Sequence, residues 1–141
     1  MIRVVLDTNI IVSALLQPLG PPAQIFVMTL GGAIQLYVSG NVYAEYEEVL
    51  HRPRLQFSEE TVAAALGSIR ECSVWVRPTE KIHACVDPDD NIFLECAQAA
   101  RAHYLVSGNL RHFPEFWAET QIVTPRWLIK NNSGIAPERT S

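Results

Sequence analysis

The chain has 141 residues, of which 48% are hydrophobic and 18% are charged, and its mean hydropathy is +0.09. This composition fits one compact globular domain and excludes a disordered, fibrous or low-complexity protein. The net charge of −4 gives no polycationic surface of the kind that marks many nucleic-acid-binding proteins. Three cysteines without a CxxC spacing favour neither a disulfide framework nor a zinc site, and we expect a cytoplasmic protein.

Short apolar strands alternate with helices along the chain. In order, the predicted elements are strand 2–6, helix 10–16, helix 21–30, strand 36–38, helix 39–50, helix 58–71, strand 74–76, helix 87–100, strand 103–106 and strand 121–123. Ser39, Ser58 and Asp87 each stand where a helix-capping side chain is favoured. This alternation predicts an α/β fold, a three-layer α/β/α sandwich with a mainly parallel central sheet. We expect one domain over residues 1–130 and a frayed C-terminal tail over residues 131–141.

No acidic or basic residue occurs from residue 8 to residue 44. Proline and glycine divide this run into segments well below the ~20 apolar residues that a membrane span needs. The apolar run near the N-terminus, residues 4–6, is also too short for a secretion signal. We therefore expect no membrane association, and we expect Leu15, Leu16, Leu19 and Phe26 to be core residues rather than interface residues.

Polar side chains follow the ends of the first and fourth predicted strands. Asp7 comes directly after the first strand, and Ser107 and Asn109 come after the fourth. In an open parallel sheet, ligands bind beyond the carboxyl ends of the strands, where neighbouring connections leave in opposite directions. If these two strands are neighbours, their polar residues share one cleft with the acidic helix start at residues 87–90.

The helix predicted over residues 39–50 carries three further acids, Glu45, Glu47 and Glu48. Each helical residue advances by about 100°, and the apolar stripe of this helix is centred on Tyr46. Glu48 points nearly opposite the stripe. Glu45 and Glu47 both flank it, so periodicity does not choose which of them faces the cleft.

Carboxylates that are held together repel one another, which raises their pKa values unless a cation neutralises them. Mg²⁺ and Mn²⁺ prefer carboxylate and water oxygens as ligands. Such an ion generates hydroxide and stabilises an in-line displacement at phosphorus. The pattern therefore indicates metal-assisted hydrolysis of a phosphodiester bond.

Three other classes of α/β protein fit less well. A haloacid-dehalogenase-type phosphatase needs a second aspartate where Asn9 stands. A phosphoacceptor receiver domain needs paired acids before its first helix, and a dinucleotide-binding domain needs a glycine-rich turn after its first strand. The sequence has none of these features.

Four stretches together resemble a PIN domain: VVLDTNIIVSALL, AEYEEVL, DPDDNIFLECA and LVSGNLRHF, in this order. The resemblance extends over roughly residues 2–130, and it is greatest to the small single-domain prokaryotic PIN proteins, the VapC-like components of toxin-antitoxin pairs. It implies an α/β/α sandwich and a Mg²⁺- or Mn²⁺-dependent endoribonuclease activity on single-stranded RNA. It also implies a small antitoxin protein as a partner and a homodimer.

The resemblance assigns roles to individual residues. Asp7, Glu45 and Asp90 match the family's acids, which implies that they are catalytic and bind the metal ion, and this match chooses Glu45 over Glu47. Asn109 matches the fourth polar position of the metal site, where many members have aspartate. Asparagine offers an amide oxygen without negative charge, so we expect it to hold a second metal ion less tightly.

Substrate contacts are expected beside these acids. Asn9 matches a polar position of the family, and Ser107 lies just past the fourth strand. Arg111 and His112 follow Asn109 on a loop, where they are expected to contact RNA phosphates. The alternative function is a PIN-fold binding protein with weak or no nuclease activity that acts through a protein partner, because Asn109 departs from the family's pattern.

Overall fold

The computed structural model describes residues 1–131, and within them one six-stranded sheet forms the centre of the fold. Its strands are β1 (Arg3–Leu6), β2 (Gln35–Val38), β3 (Val74–Trp75), β4 (Tyr104–Val106), β5 (Phe116–Trp117) and β6 (Thr120–Val123). Their order across the sheet is β3-β2-β1-β4-β6-β5. All neighbouring strands run parallel except β5 and β6, which confirms the predicted mainly parallel sheet.

Six α-helices of the described residues flank this sheet, and the first five begin within four residues of the predicted positions. They are α1 (Thr8–Leu16), α2 (Pro21–Leu30), α3 (Gly40–Leu50), α4 (Glu59–Cys72), α5 (Asn91–Ala100) and α6 (Pro125–Asn131). Val4, Val5 and Leu6 of β1 are all completely buried. Because successive side chains of a strand point to opposite faces, both faces of the sheet are covered, as the predicted three-layer sandwich requires.

The strand order makes β1 the point where the chain changes direction across the sheet. From β1 the chain proceeds to β2 on one side, and it later returns to β4 on the other side. Leu6 of β1 is paired with Val106 of β4, so the residues that follow them, Asp7 and Ser107, lie side by side. The first and fourth predicted strands are therefore neighbours, and the crevice beyond their carboxyl ends is the place where an open α/β sheet binds its ligand.

Two serine caps fix the starts of α3 and α4. The Ser39 hydroxyl accepts a hydrogen bond from the Val42 N–H at 3.2 Å, and the Ser58 hydroxyl accepts one from the Thr61 N–H at 3.0 Å. Both caps confirm the prediction from the sequence. Such a cap stabilises its helix by roughly 1 kcal/mol because it satisfies one of the unpaired N–H groups of the first turn.

A buried tyrosine fastens α3 to the end of β1. Tyr46 is fully buried, and its hydroxyl donates a hydrogen bond of 2.6 Å to the backbone carbonyl of Leu6. The residue before Tyr46 is Glu45, and the residue after Leu6 is Asp7. This one bond therefore links the backbone positions that carry two of the predicted site acids.

The uncharged run forms α1, α2, β2 and the beginning of α3. Phe26 is buried as predicted, but Leu16 and Leu19 are exposed, which contradicts the prediction that they belong to the core. They lie at the end of α1 and in the loop before α2, where no other described element covers them. Within residues 1–131 no single helix is long and apolar enough to cross a membrane, and α1 with α2 reaches that length and composition only as a pair bent by 106°.

The start of α5 differs from the prediction. Residues 88–90 form a 3₁₀ turn, so the α-helix begins at Asn91 and not at Asp87. Asp87 still caps this turn, because its Oδ1 accepts a hydrogen bond of 3.0 Å from the Asp89 N–H. The turn leaves Asp90 as the residue before α5, with no capping bond from its side chain.

The C-terminal part contains two elements that the sequence did not predict. The β5–β6 hairpin turns at Ala118, whose φ is +51°. Residues with a positive φ in such turns are usually glycine or asparagine. Helix α6 begins at Pro125, and the Thr124 hydroxyl accepts a hydrogen bond from the Trp127 N–H at 3.1 Å. Asn131 belongs to this helix rather than to the predicted tail, and residues 132–141 lie outside the described residues.

Candidate active site

Asp7 lies at the carboxyl end of β1, with only 8% of its surface exposed. Its backbone N–H donates to the Val106 carbonyl at 2.9 Å, which continues the β1–β4 pairing by one residue. Its Oδ2 accepts a hydrogen bond of 2.7 Å from the Ser107 hydroxyl, and the side chain makes no helix-capping bond. Burial raises the pKa of Asp7, and the bond from Ser107 opposes that rise.

The turn after β4 is fastened to the turn after β1. The Ser107 hydroxyl, besides donating to Asp7, accepts a hydrogen bond of 2.9 Å from the Asn109 N–H. The Gly108 N–H donates a longer bond of 3.4 Å to Oδ1 of Asn9. Ser107 is completely buried and engaged on both sides, so it has no surface for the substrate contact that the sequence predicts and instead orients the Asp7 carboxyl group.

Asp90 approaches Asp7 from the start of α5. Burial, then the charges of Asp7 and Asp87, raise its pKa to about 6. Its Oδ2 is buried and accepts no hydrogen bond from any residue within 1–131. The imidazole of His112 lies beside it, with Nδ1 at 3.5 Å from that oxygen, too far for a strong hydrogen bond. Asp90 therefore carries an oxygen with no donor, next to a second acid.

Of the three glutamates on α3, only Glu45 turns toward these acids. Glu45 is half-buried, whereas Glu47 and Glu48 are exposed. Burial, together with the charges of Glu48, Asp89 and Asp7, raises the pKa of Glu45, although Arg52 opposes the rise. Glu48 instead forms an exposed ion pair of 2.9 Å with Arg52. The packing of α3 thus separates Glu45 from Glu47, which helical periodicity alone left open.

The charge of these acids also acts on a nearby thiol. Cys85 is half-buried in the segment before α5. Burial and the charges of Asp90, Asp7 and Asp87 raise the pKa of the Cys85 thiol to about 11. The negative potential of the acid cluster therefore extends to the segment that precedes α5.

The chemistry of this donor set fits a hard divalent cation. Asp7, Glu45 and Asp90 offer carboxylate oxygens, and the pKa of each is raised, mainly by burial. One oxygen of Asp90 has no hydrogen-bond donor in the described part of the chain. Across residues 1–131, no three His, Cys, Asp or Glu side chains are close enough to form a ready-made metal site. Mg²⁺ and Mn²⁺ suit such a set because they keep several water ligands and need few carboxylates.

Polar and basic residues surround the acids on two sides. Asn9 and Asn109 line a cavity of about 410 Å³ together with Arg126 of α6. Asp7 and Asn9 line a smaller cavity of about 260 Å³ on the other side, with Arg52 and Arg54. The sequence did not point to Arg126, because α6 itself was not predicted.

The two remaining predicted substrate contacts lie on the turn after Asn109. Arg111 and His112 belong to a 3₁₀ turn over residues 110–112, and both are exposed. His112 lies beside Asp90. This position places its imidazole at the edge of the acid cluster, and Arg111 is exposed on the same turn.

Comparison with known proteins agrees with this geometry. The family model that describes the PIN domain matches residues 3–111. The chain belongs to the PIN domain family. It is 31% identical over 104 residues to the uncharacterized protein MJ1680 of Methanocaldococcus jannaschii, a match that covers 72% of this chain and 67% of that protein.

The same fold occurs in a solved structure. A chain in the crystal structure of VapBC2 from Rickettsia felis bound to a DNA fragment from their promoter matches this PIN domain with a TM-score of 0.57 and 16% identity. The match covers 85% of this chain and 99% of that chain. PIN domains are generally nucleases that use divalent metal ions, so the family supports a nuclease as the kind of protein described here.

Proposed function

We propose that the protein is a Mg²⁺- or Mn²⁺-dependent endoribonuclease that hydrolyses phosphodiester bonds of single-stranded RNA. The observation that carries the proposal is the meeting of Asp7 and Asp90 beyond the carboxyl ends of β1 and β4. The pKa of Asp90 is raised to about 6, and its buried Oδ2 has no hydrogen-bond donor among residues 1–131. A divalent cation supplies the positive charge that this arrangement lacks.

Asp7, Glu45 and Asp90 would hold the ion. When bound, it supplies an activated water and positive charge for an in-line displacement at phosphorus. Ser107 fixes the Asp7 carboxyl group through its 2.7 Å bond to Oδ2. Asn109, in this proposal, offers its amide oxygen to the metal site without adding negative charge.

Basic residues around the acids suit a nucleic-acid substrate. Arg111 and His112 are exposed next to Asp90, and Arg54 and Arg126 line the cavities on either side of Asn9. Phosphate contacts from such side chains position the RNA without reading its sequence. In this proposal the arginines bind the phosphates of the RNA backbone and so place the RNA next to the carboxylates.

A cleavage assay tests this proposal. Purified, partner-free protein is incubated with end-labelled single-stranded RNA while Mg²⁺ or Mn²⁺ is titrated. We expect cleavage that rises with metal concentration and stops with a chelator. Glu45→Gln should reduce this cleavage, because Glu45 is one of the proposed metal ligands. Glu47→Gln is the matched control and should not, because Glu47 lies on the same helix but is exposed. Absence of metal-dependent cleavage at every concentration would refute the nuclease proposal.

We further propose that the protein acts in the cytoplasm as the toxin of a toxin-antitoxin pair, with a small antitoxin protein as partner and a homodimer as its own assembly. The fold that it shares with a chain of the VapBC2 structure supports this proposal. So does the exposed apolar surface formed by Leu19, in the loop before α2, and Val27 of α2. Expression should arrest cell growth, and coexpression of a small protein encoded beside it should restore growth. Growth arrest that persists with every neighbouring product would contradict the pairing.

A PIN-fold binding protein with weak or no nuclease activity is the second candidate. Asn109 stands where many family members have aspartate, and no three acidic, histidine or cysteine side chains of residues 1–131 form a ready-made metal site. This candidate predicts a stable complex with the antitoxin but no RNA cleavage at any metal concentration. The same purified protein in both assays separates the two.

A further inference from the structure

A second polar cavity opens next to the proposed metal site, and we name it the α3 cavity. It has a volume of about 370 Å³ and is lined by Asn41 of α3, by Arg77, Thr79 and Lys81 of the segment after β3, and by Glu95 of α5. Its size falls within the range of small-ligand sites. None of these five residues belongs to the site described above.

One wall of this cavity contains a buried carboxyl group, that of Glu95. The residue is 8% exposed, and its Oε2 accepts a hydrogen bond of 3.0 Å from the Ile82 N–H. Its Oε1 accepts no hydrogen bond from residues 1–131. Buried polar groups are normally satisfied, so a carboxyl group in the wall of a polar cavity is suited to a ligand that donates hydrogen bonds.

The α3 cavity adjoins the depression that contains Glu45 of the proposed active site. Asn41 lines both the α3 cavity and the neighbouring depression that contains Glu45 and Asp89. Asn41 and Glu45 are four residues apart on α3, so they lie on one face of the helix about one turn, roughly 5.4 Å, from each other. A nucleotide adjacent to a phosphate held at Glu45 would therefore reach this cavity.

The lining of the cavity carries two basic residues, Arg77 and Lys81, and two acidic ones, Glu80 and Glu95, and the basic pair suits phosphate groups. Arg77 and Lys81 are exposed at the rim, and neither forms an ion pair within the described residues. Free cations at the rim would bind phosphates, while the acceptor at the wall would bind a base. The two kinds of group lie on the same cavity, as a nucleotide with one charged and one hydrogen-bonding end requires.

We propose that the α3 cavity is a subsite for a guanine base of the RNA, next to the phosphate that is cleaved. This inference rests on the proposed function. A carboxylate only accepts hydrogen bonds, and the Watson–Crick edge of guanine presents two adjacent donors, N1–H and N2–H₂. Adenine and cytosine present one amino donor beside an acceptor nitrogen, which faces a carboxylate unfavourably.

Binding of short RNA tests the subsite separately from cleavage. The probes are labelled oligouridine hexamers that carry one central guanosine, inosine, adenosine or cytidine, and Ca²⁺ replaces Mg²⁺ so that binding is measured on intact RNA. Fluorescence anisotropy should show roughly tenfold tighter binding of the guanosine probe than of the others, the discrimination that a bidentate contact to a base provides. Inosine lacks only the 2-amino group and so tests this contact without changing the protein.

Glu95→Gln should reduce the guanosine preference to less than twofold, since the amide keeps an acceptor for the Ile82 N–H but no longer accepts two donors. Glu80→Gln is the matched control, because Glu80 lines the same cavity but is exposed, and it should keep the preference. Equal binding of guanosine and inosine probes by the unaltered protein would overturn the subsite.

The two proposals fail in different ways. Metal-dependent cleavage of RNA without any guanosine preference would overturn the subsite and leave the nuclease intact. A guanosine preference in binding, without cleavage in Mg²⁺ or Mn²⁺, would support the subsite and overturn the nuclease. If Glu95→Gln fails to fold, the comparison of guanosine with inosine on the unaltered protein still decides the question.

Discussion

At the scale of single residues, Asp7 and Asp90 differ from ordinary helix-start acids. An aspartate before a helix normally accepts a backbone N–H of the first turn. Here Asp7 instead bonds to Ser107, and Asp90 makes no capping bond at all. Asp87, two residues before Asp89, performs the capping at that helix start. The acids that local rules explain are therefore distinct from those that the proposed chemistry needs.

Replacing Asp7→Asn tests whether this acid serves function rather than stability. The amide oxygen still accepts a hydrogen bond from the Ser107 hydroxyl, while the negative charge, whose burial raises the pKa of Asp7, disappears. We expect an unfolding temperature equal to or above that of the unaltered protein and a cleavage rate at least 100-fold lower. Thermal unfolding and the RNA assay measure the two effects. Cleavage at the unaltered rate would remove Asp7 from the proposed metal site.

Asp90 predicts a dependence of stability on pH. Its folded-state pKa is raised from 3.8 to about 6, so the protonated form stabilises the fold fully below pH 3.8 and this contribution is lost as pH rises through 6. Asp90→Asn mimics the protonated form at every pH. Without metal, we expect the variant to match the unaltered protein at pH 4 and to exceed it by about 1 kcal/mol at pH 7, after allowance for solvent screening. Chemical denaturation at both pH values provides the measurement, and an equal difference at both would contradict it.

At the scale of elements, the sequence predicted the parts whose signals are local. The apolar run that ends at Asp7 and the serine cap of α3 both follow from neighbouring residues. The choice between Glu45 and Glu47 depends on what α3 packs against, and periodicity does not contain that information. The β5–β6 turn has alanine at the positive-φ position, residue 118, where glycine or asparagine is usual. The sequence therefore did not predict this hairpin.

The site itself could be predicted only in part. The rule for ligands at open sheets placed Asp7 and the turn after β4 in one crevice, and the pairing of β1 with β4 agrees. The bond from Ser107 to Asp7 joins residues 100 positions apart, and no local pattern reveals it. Likewise, Arg126 reaches the crevice only because α6 forms there.

The bond between α3 and β1 can be tested with a matched pair of tyrosines. Tyr46→Phe removes the 2.6 Å bond and leaves the buried Leu6 carbonyl without its donor, which costs about 1–3 kcal/mol of unfolding free energy. Tyr43→Phe, on the same helix, removes a bond of 3.3 Å donated to the Leu66 carbonyl and an exposed bond of 3.0 Å accepted from Arg70, and should cost less because the Tyr43 side chain is only half-buried. Urea denaturation measures both variants. A larger loss for Tyr43→Phe would contradict the stated role of Tyr46.

At the scale of the whole molecule, the net charge of −4 is a poor guide to the partner. Asp7, Glu45 and Asp90 account for three of the negative charges, and the charge of Asp7 helps to raise the pKa of both Glu45 and Asp90. Arginines line the cavities beside them. A weakly acidic protein can thus present a basic rim around a concentrated acidic centre.

The apolar surface formed by Leu19, in the loop before α2, and Val27 of α2 is the second feature at this scale. Leu19 is completely exposed and Val27 is 65% exposed, and both line an apolar depression of about 430 Å³. Burial of this surface in the proposed homodimer predicts a particle of twice the 15.8 kDa chain mass. The double variant Leu19→Asp, Val27→Asp should be monomeric in light scattering after gel filtration. A monomer for the unaltered protein would exclude the homodimer.

The thiol of Cys85 gives the acid cluster a chemical reporter. Only a thiolate reacts readily with iodoacetamide, and Asp90 and Asp7 help to raise the pKa of Cys85 to about 11, so its alkylation should be slow without metal. A bound divalent cation would offset those charges and speed the reaction, whereas Cys72, whose pKa is raised mainly by burial, should respond little. Peptide mass spectrometry would follow both thiols, and an unchanged Cys85 rate at saturating Mg²⁺ would contradict the expectation. Occupancy of the metal site could then be read in any RNA-free sample, independently of whether the protein cleaves anything.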